Sequence, residues 1–451
     1  MIQAIQSNIY NFLNRGHQRS VRLKKNIIFS VFLKGGSVVI SLVLIPLTIG
    51  YVNPTQYGIW LTLSSVIAWA AFFDIGLGNG LKNKLAAAIA MGDYTRARSY
   101  VSTTYVLLGG IAVILFAVFY LLNPYINWQQ ILNAPQTAGL NRLALMMFGF
   151  FCLQFVVQLI NIVLTANQQP AISSLLNVVG QALMLLAIFV LTRVTQGSLI
   201  NLLLVMAGMP LIVLAVASLW LYKASYKLMA PSLALVNLKY TREMLGSGSA
   251  FLVIQLGALV LFETDNIVIT QLFGPQEVTT FNIAYKLFSV ILMLFTIIIT
   301  PFWSAFTEAY TKQDYSWIKT TMQKIHKVWV ALSCVTLLML ALSPLLYNLW
   351  LGHKVSVPLS LSVSMCVYII ASLWQIIHVY LLNGVGKIRL QLYLVLGSAL
   401  INIPLAVFLG KQIGLAGVTL SNALLFIVMG AIFSIQTKKI INGTAKGIFN
   451  T

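Results

Sequence analysis

The chain has 451 residues, of which 59% are hydrophobic and only 8% are charged, which leaves too few polar side chains to cover a water-soluble globular domain. Twenty-eight Lys and Arg stand against eight Asp and Glu, a net charge of +20, and in so apolar a chain that excess points to membrane topology before nucleic acid. Three cysteines, all within apolar runs, and four scattered histidines lack the spacings of a disulfide framework or a metal cluster.

The first 26 residues read as an amphipathic cytoplasmic segment. Ile2, Ile5, Ile9, Phe12 and Leu13 recur at helical spacing, and Arg15, Arg19, Arg22, Lys24 and Lys25 follow, a pattern suited to the anionic inner leaflet. A frayed tail carrying topogenic charge is the other reading. The apolar run that starts after Asn26 is about twice the length of a signal-peptide core and lacks a small-residue cleavage site, so it is expected to stay in the membrane as an anchor.

A bilayer crossing needs roughly 20 apolar residues. Twelve such runs are present, at about 27–49, 57–79, 98–122, 140–165, 171–192, 199–222, 247–272, 279–303, 326–350, 358–382, 389–409 and 413–435. Pro and Gly punctuate the gaps, as at Asn53-Pro54, Asn123-Pro124, Gln169-Pro170 and Gly274-Pro275. With the N-terminus in the cytoplasm, 22 of the 28 basic residues fall in inner segments, as the positive-inside rule requires.

The expected fold is therefore an all-α polytopic membrane protein with twelve transmembrane helices in two six-helix lobes, N-in and C-in. The lobes cover 27–222 and 247–435, joined by a cytoplasmic linker at 223–246 and followed by a cytoplasmic tail at 436–451. An offset of 221 lays "NPTQYGIW" over "GPQEVTTF", Gly92-Asp93 over Gln313-Asp314 and Arg98 over Lys319. Six spans being an even number, the halves form a parallel pseudo-two-fold repeat. That is the expected form of an alternating-access transporter.

Charges inside spans are costly and tend to face a cavity. Lys34 lies about 10 Å into the first span, and Lys286 is equally deep in the eighth, entered from the outer side. One in each lobe, they suggest a cationic lumen for an anionic ligand, with snorkelling to the interface as the structural reading. Glu263 and Asp265, in "LFETDNIVI", are candidates for binding a coupling proton or cation. The spacing puts Glu263 and Asn266 on one helix face and points Asp265 elsewhere. Mutual charge neutralisation is the alternative. Gln154, Gln158, Asn161, Asn177, Gln255, Gln375 and Asn402 are polar enough to meet sugar hydroxyls, although such residues also serve helix packing. In "FFDIGLGNGLKNKLAAAIAMGD" an acid at the inner end of the second span precedes alternating glycines and a basic exit. Asp74, Gly76, Gly78, Asn79, Gly80 and Asn83, together with Glu308 in the matching segment of the second half, are candidates for a gate or a structural joint.

The stretches "FDIGLGNGLKNKLAAAIAMGDYTRARSYVSTTY", "ETDNIVITQLFGPQEVTTFNIAYKLFS" and "PFWSAFTEAYTKQDYSWI" resemble the paired signatures of Wzx-type flippases of the multidrug/oligosaccharidyl-lipid/polysaccharide exporter superfamily. The resemblance implies a multi-pass protein of the bacterial inner membrane that moves undecaprenyl-diphosphate-linked oligosaccharide, an O-antigen or related repeat unit, from the cytoplasmic to the periplasmic leaflet. It implies a cationic cavity, matched here by Lys34 and Lys286, and H+ or Na+ coupling, for which Asp265 and Glu263 are the matching positions. No other cofactor is expected. A polymerase and a chain-length regulator of the same pathway are the implied partners, beside the bilayer and the lipid-linked cargo; no nucleic acid is expected. Among the alternatives, a multidrug or cation antiporter of the same superfamily would favour a more acidic lumen. A membrane polysaccharide polymerase or transferase would need larger loops bearing acids or arginines, so enzymatic activity is not expected.

Overall fold

The computed structural model describes residues 18–74, 76–135, 137–352 and 354–451, with side chains described for all of these except 18–28, 30, 246–262 and 304. The amphipathic positions from Ile2 to Arg15 lie outside the described residues, as do the side chains of Arg19, Arg22, Lys24, Lys25 and Gln255. Among the described residues every regular element is a helix.

In chain order the α-helices are α1 (Gln18–Tyr51), α2 (Pro54–Ala68), α3 (Leu77–Ala90), α4 (Tyr94–Leu122) and the four-residue α5 (Trp128–Ile131). There follow α6 (Leu140–Val157), α7 (Leu159–Ala166), α8 (Pro170–Val194), α9 (Leu199–Lys223) and α10 (Lys239–Phe273). The rest are α11 (Pro275–Ile299), α12 (Phe302–Thr311), α13 (Tyr315–Leu351), α14 (Leu359–Val385), α15 (Arg389–Ile413) and α16 (Leu415–Ile441). Eleven segments among the described residues are long and apolar enough to cross a bilayer, and α10 carries the twelfth run. The protein is an all-α polytopic membrane protein, six spans before the linker and six after it. α3 and α12 are too short and too polar to cross.

The second crossing is shorter than the hydropathy pattern suggested. It ends in a 3-10 stretch, Trp69–Asp74, and a new helix begins at Leu77. The cause is local: Gly76 adopts a left-handed backbone, φ 78°, which ends the helix where a side chain would be strained.

Several junctions recur at the 221-residue offset. Pro54 and Pro275 each open a helix, where the fixed φ and missing N–H of proline cost nothing. Asp93 and Asp314 each cap one: their carboxylates accept the N–H of Arg96 and of Trp317, both at 2.9 Å. Such caps are worth about 1 kcal/mol each. Immediately before them Gly92 and Gln313 both have positive φ, 73° and 60°.

By contacts the chain forms two compact units. Unit 1 consists of Met1–Leu47, Ala71–Tyr125 and Asn141–Phe251; unit 2 consists of Thr48–Ala70, Ile126–Leu140 and Leu252–Thr451. In unit 1, α3 packs on α4 and α7 through fully buried Leu81, Leu85, Val101, Ile160 and Leu164. The main chain of the linker is tied to side chains of α4: Arg98 Nε donates to Ala230 O at 2.8 Å, and the N–H of Ser232 donates to Ser102 Oγ at 2.9 Å. Unit 2 has its core around Phe288, Phe295, Phe306, Ile369, Leu373 and Phe433.

An ion pair holds the inner start of α10, ahead of its membrane run. Tyr100 Oη donates to Glu243 Oε2 at 2.8 Å and Arg96 Nη2 donates to the same oxygen at 3.2 Å. The Tyr100 hydroxyl first, then Arg96, holds the Glu243 carboxyl below its ordinary value. A depressed carboxylate contributes stability above the ordinary glutamate range near pH 4.5, and that contribution is lost as pH falls through the lower folded value. Acidification should therefore destabilise the wild type more than a Glu243→Gln variant. Thermal melts of the detergent-solubilised proteins between pH 7 and pH 3 check this, and parallel pH profiles would overturn it. The effect is expected to be small, because both side chains are about 40% exposed and water screens the pair.

Candidate functional site

The polar interior of unit 2 is a cavity of about 310 Å³ lined by Glu263, Asp265, Asn266, Asn282, Tyr285 and Asn422, with Phe281, Met365 and Tyr368 as apolar wall. Its size sets what it can take. At roughly 30 Å³ per water it holds about ten waters, or an ion with its shell. A lipid-linked oligosaccharide head group is far larger.

Two hydrogen-bond chains shape the cavity. In one, Asn402 Nδ2 donates to Asn422 Oδ1 at 2.7 Å, and Asn422 Nδ2 donates to Asp265 Oδ2 at 2.6 Å. The donors run toward the acid from α15 and α16, so the amides are oriented by one another. The other oxygen, Asp265 Oδ1, is buried with no partner among the described residues. In the second chain, Asn282 Nδ2 donates to Asn266 Oδ1 at 2.7 Å, and Asn266 Nδ2 donates to Ser65 Oγ at 2.8 Å. Asp265, expected to point away from the Glu263 and Asn266 face, lines the same cavity as both. Asn422 reaches it from a helix 157 positions later.

Neither Glu263 nor Asp265 forms an ion pair among the described residues, where the pairs are Arg96 with Glu243 and Lys312 with Glu308. An ionised carboxylate buried without a cation is strongly disfavoured. A carboxyl group in such a site is favoured as its neutral form or with a cation beside it.

Beside this cavity runs a seam of small residues on one face of α2. Thr279 Oγ1 donates to Pro54 O at 2.6 Å, the hydroxyls of Thr62 and Thr270 share a 2.5 Å bond, and Ser65 meets Asn266. Between them Gly58 lies against the Pro275 carbonyl so closely that a Cβ would have no room. The outer segment around α5 closes on the C-terminal end of α10, with Asn133 Nδ2 donating to Thr270 O at 3.1 Å and Gln271 Nε2 donating to Gln130 O at 3.0 Å.

Lys286 follows Tyr285 on α11 and is half-buried, yet it does not line the cavity. Lys34, in unit 1, is exposed on α1. Asp74 accepts the Gly78 N–H on both oxygens, at 3.0 and 3.3 Å. A Cβ on Gly78 would press on Asp74 and Ile162, and one on Gly80 would run into the Met244 carbonyl. Asn79 is half-buried and Asn83 exposed on α3. Glu308 sits on α12, exposed and paired with Lys312 four residues on. Gly78 and Gly80 thus let α3 pack closely against α7 and the start of α10.

Sequence reasoning missed Asn422, Asn282, Tyr285 and the Thr62 and Thr270 pair. Asn402, for which the sequence leaves sugar contact and helix packing both open, is fully buried and donates its amide to Asn422.

The profile of a family described as "Polysaccharide biosynthesis protein" matches residues 23–306, and that of MatE matches residues 251–408. A Salmonella typhi protein named "Putative O-antigen transporter" is 19% identical over 419 residues, covering 89% of this chain and 93% of that protein. A Yersinia pseudotuberculosis protein named "Putative O-antigen export protein" is 23% identical over 383 residues, covering 78% and 81%. Among solved structures, the inward-facing conformation of a multidrug resistance MATE family transporter of the MOP superfamily superposes with a TM-score of 0.75 at 15% identity, covering 90% of this chain and 95% of that one. An outward-facing conformation of a transporter so described gives 0.65 at 16% identity, covering 96% and 98%.

Proposed function

Because the chain belongs to the polysaccharide biosynthesis protein family, we propose that it is a flippase that carries undecaprenyl-diphosphate-linked oligosaccharide from the cytoplasmic to the periplasmic leaflet by ion-coupled alternating access. It is a multi-pass transporter of the bacterial inner membrane and not an enzyme. The observation that carries the cargo reading is the match along most of the chain to relatives named for O-antigen transport and export.

The physics of the cargo fits. A diphosphate and hydrated sugars cannot enter hydrocarbon without stranding charge and unpaired hydroxyls, whereas the polyprenyl tail is at home there. The protein's task is a polar path for the head group alone. On this reading Lys34 and Lys286 would meet the diphosphate. Lys acts as a point charge and not as a bidentate fork, so the grip is by attraction and is readily released. Asp265, with Glu263 beside it, would bind the coupling proton or sodium ion.

Changing Lys34 or Lys286 to Ala is expected to make lipid-linked repeat units accumulate in the inner leaflet at normal protein level. Wild-type surface polysaccharide in both variants would overturn the cationic-lumen assignment. One observation favours a second reading, a cation or multidrug antiporter: the cavity of unit 2 joins two acids to aromatic walls, as a cationic ligand prefers. Drug resistance conferred by overexpression, without any effect on surface polysaccharide, would select it.

A further inference from the structure

Three spans of unit 1 carry polar stripes at one depth. On α1, Lys34, Ser37 and Ser41 follow one another at three and four residues; on α8, Ser173, Asn177 and Gln181 do so at four. Along α6 and α7 the sequence of Gln154, Gln158 and Asn161 keeps to one face. Two hydrogen bonds stitch the stripes together: Ser37 Oγ donates to Gln181 Oε1 at 2.6 Å, and Ser173 Oγ donates to Asn161 Oδ1 at 2.8 Å. Lys34, Gln158 and Asn177 each lie about 10–12 Å from the inner ends of their spans at 1.5 Å per residue.

What the stripes leave unpaired points to a ligand. Asn177 and Gln158 are exposed and make no side-chain hydrogen bond among the described residues, and the amide oxygen of Gln154 is buried without a partner. The helix itself is interrupted at Gln158, between α6 and α7, where Asn161 N–H bonds back to Gln158 O at 2.9 Å. Unpaired amides and irregular backbone at membrane depth are stable only against protein or a watered cavity, not against lipid. Gly35 and Gly36, next to Lys34, have open space where a Cβ would stand.

From this arrangement we infer that the stripes of α1, α6–α7 and α8 form a saccharide-binding wall, with Lys34 at its edge for the adjoining phosphate. The chemistry is that of neutral hydroxyl recognition: amides and hydroxyls that both donate and accept, with one cation. A cationic ligand finds no acid to meet. The three carboxylates of unit 1 are each engaged locally, Asp74 by Gly78, Asp93 by Arg96 N–H and Glu243 by Tyr100 and Arg96. Sugar recognition thus falls to unit 1 and ion binding to the cavity of unit 2. The inference rests on the flippase reading above.

Binding of two probes to the purified full-length protein tests it: a short-chain isoprenyl diphosphate bearing an oligosaccharide, and the same isoprenyl diphosphate without sugar. Asn177→Leu and Gln158→Leu should each weaken the sugar-bearing probe about five- to tenfold, the equivalent of roughly one neutral hydrogen bond, and leave the sugar-free probe unchanged. Asn177→Gln should retain most of the affinity, which separates lost recognition from lost folding. Lys34→Ala should weaken both probes. If the wild type binds the sugar-bearing probe and the Leu variants bind it equally well, the wall is wrong and the flippase stands. If the wild type binds neither probe, both readings fall together.

Discussion

Replacing Asp265 with Asn is expected to abolish the response of flux to an imposed pH or sodium gradient while leaving the protein folded. The expectation follows from one oxygen. Asp265 Oδ2 is held by Asn422, and among the described residues Oδ1 has no partner and no Lys or Arg pairs with the acid. A buried carboxylate so placed must take up a proton or a cation whenever water leaves the cavity. Asn mimics the neutral form permanently and keeps a bond to Asn422, so removing the charge costs no stability. Counterflow of a fluorescent lipid-linked oligosaccharide in proteoliposomes should lose at least tenfold of its gradient-driven component. Glu263→Gln, at a less buried position, should lose less. A variant at 265 that still responds like the wild type would remove Asp265 from coupling and leave Glu263 to be tested.

Placing a single methyl group at Gly58 should destabilise the protein by about 1–3 kcal/mol, the usual cost of overpacking a close contact. The methyl would run into the Pro275 carbonyl, and backbone cannot step aside as a flexible side chain does. Separation there also strains the bonds above and below it, from Thr279 to Pro54 and between Thr62 and Thr270. Gly58→Val should cost more than Gly58→Ala, and both should lower the thermal midpoint in detergent. Ala at Gly109, where nothing lies within 4 Å of the new Cβ, serves as the control. Equal midpoints for all three would show that α2 and α11 do not approach as closely as described.

The crossings were legible because oil-length apolar runs and Pro or Gly gaps are local signals, and the caps at Asp93 and Asp314 were visible as a repeated acid at one offset. The faces were not. In a membrane both lipid and protein interior are apolar, so periodicity cannot tell exposed Val113 and Ile114 from fully buried Ile369 and Leu373. Gly58 reads like any glycine in "YGIW"; only the approach of a backbone 217 positions away gives it a role. Asn402 could be read as sugar-facing or as packing and nothing marked Asn422; the meaning of both depends on Asp265, which no spacing rule connects to them. The break at Gln158 has neither Pro nor Gly to announce it.

The seam along α2 has a further property in its composition. It is closed by threonines, a serine, an asparagine, a glycine and two proline carbonyls, with no charged side chain among its bonds. Pulling it apart moves no charge through the membrane field, so the transmembrane voltage, worth roughly 2.3 kcal/mol per elementary charge per 100 mV, does no work on it. Dissolved salt has no ion pair there to screen. Voltage can act on the protein through charges within its spans, and ionic strength through exposed pairs such as Arg96 with Glu243, while the seam answers only to packing and hydrogen bonds.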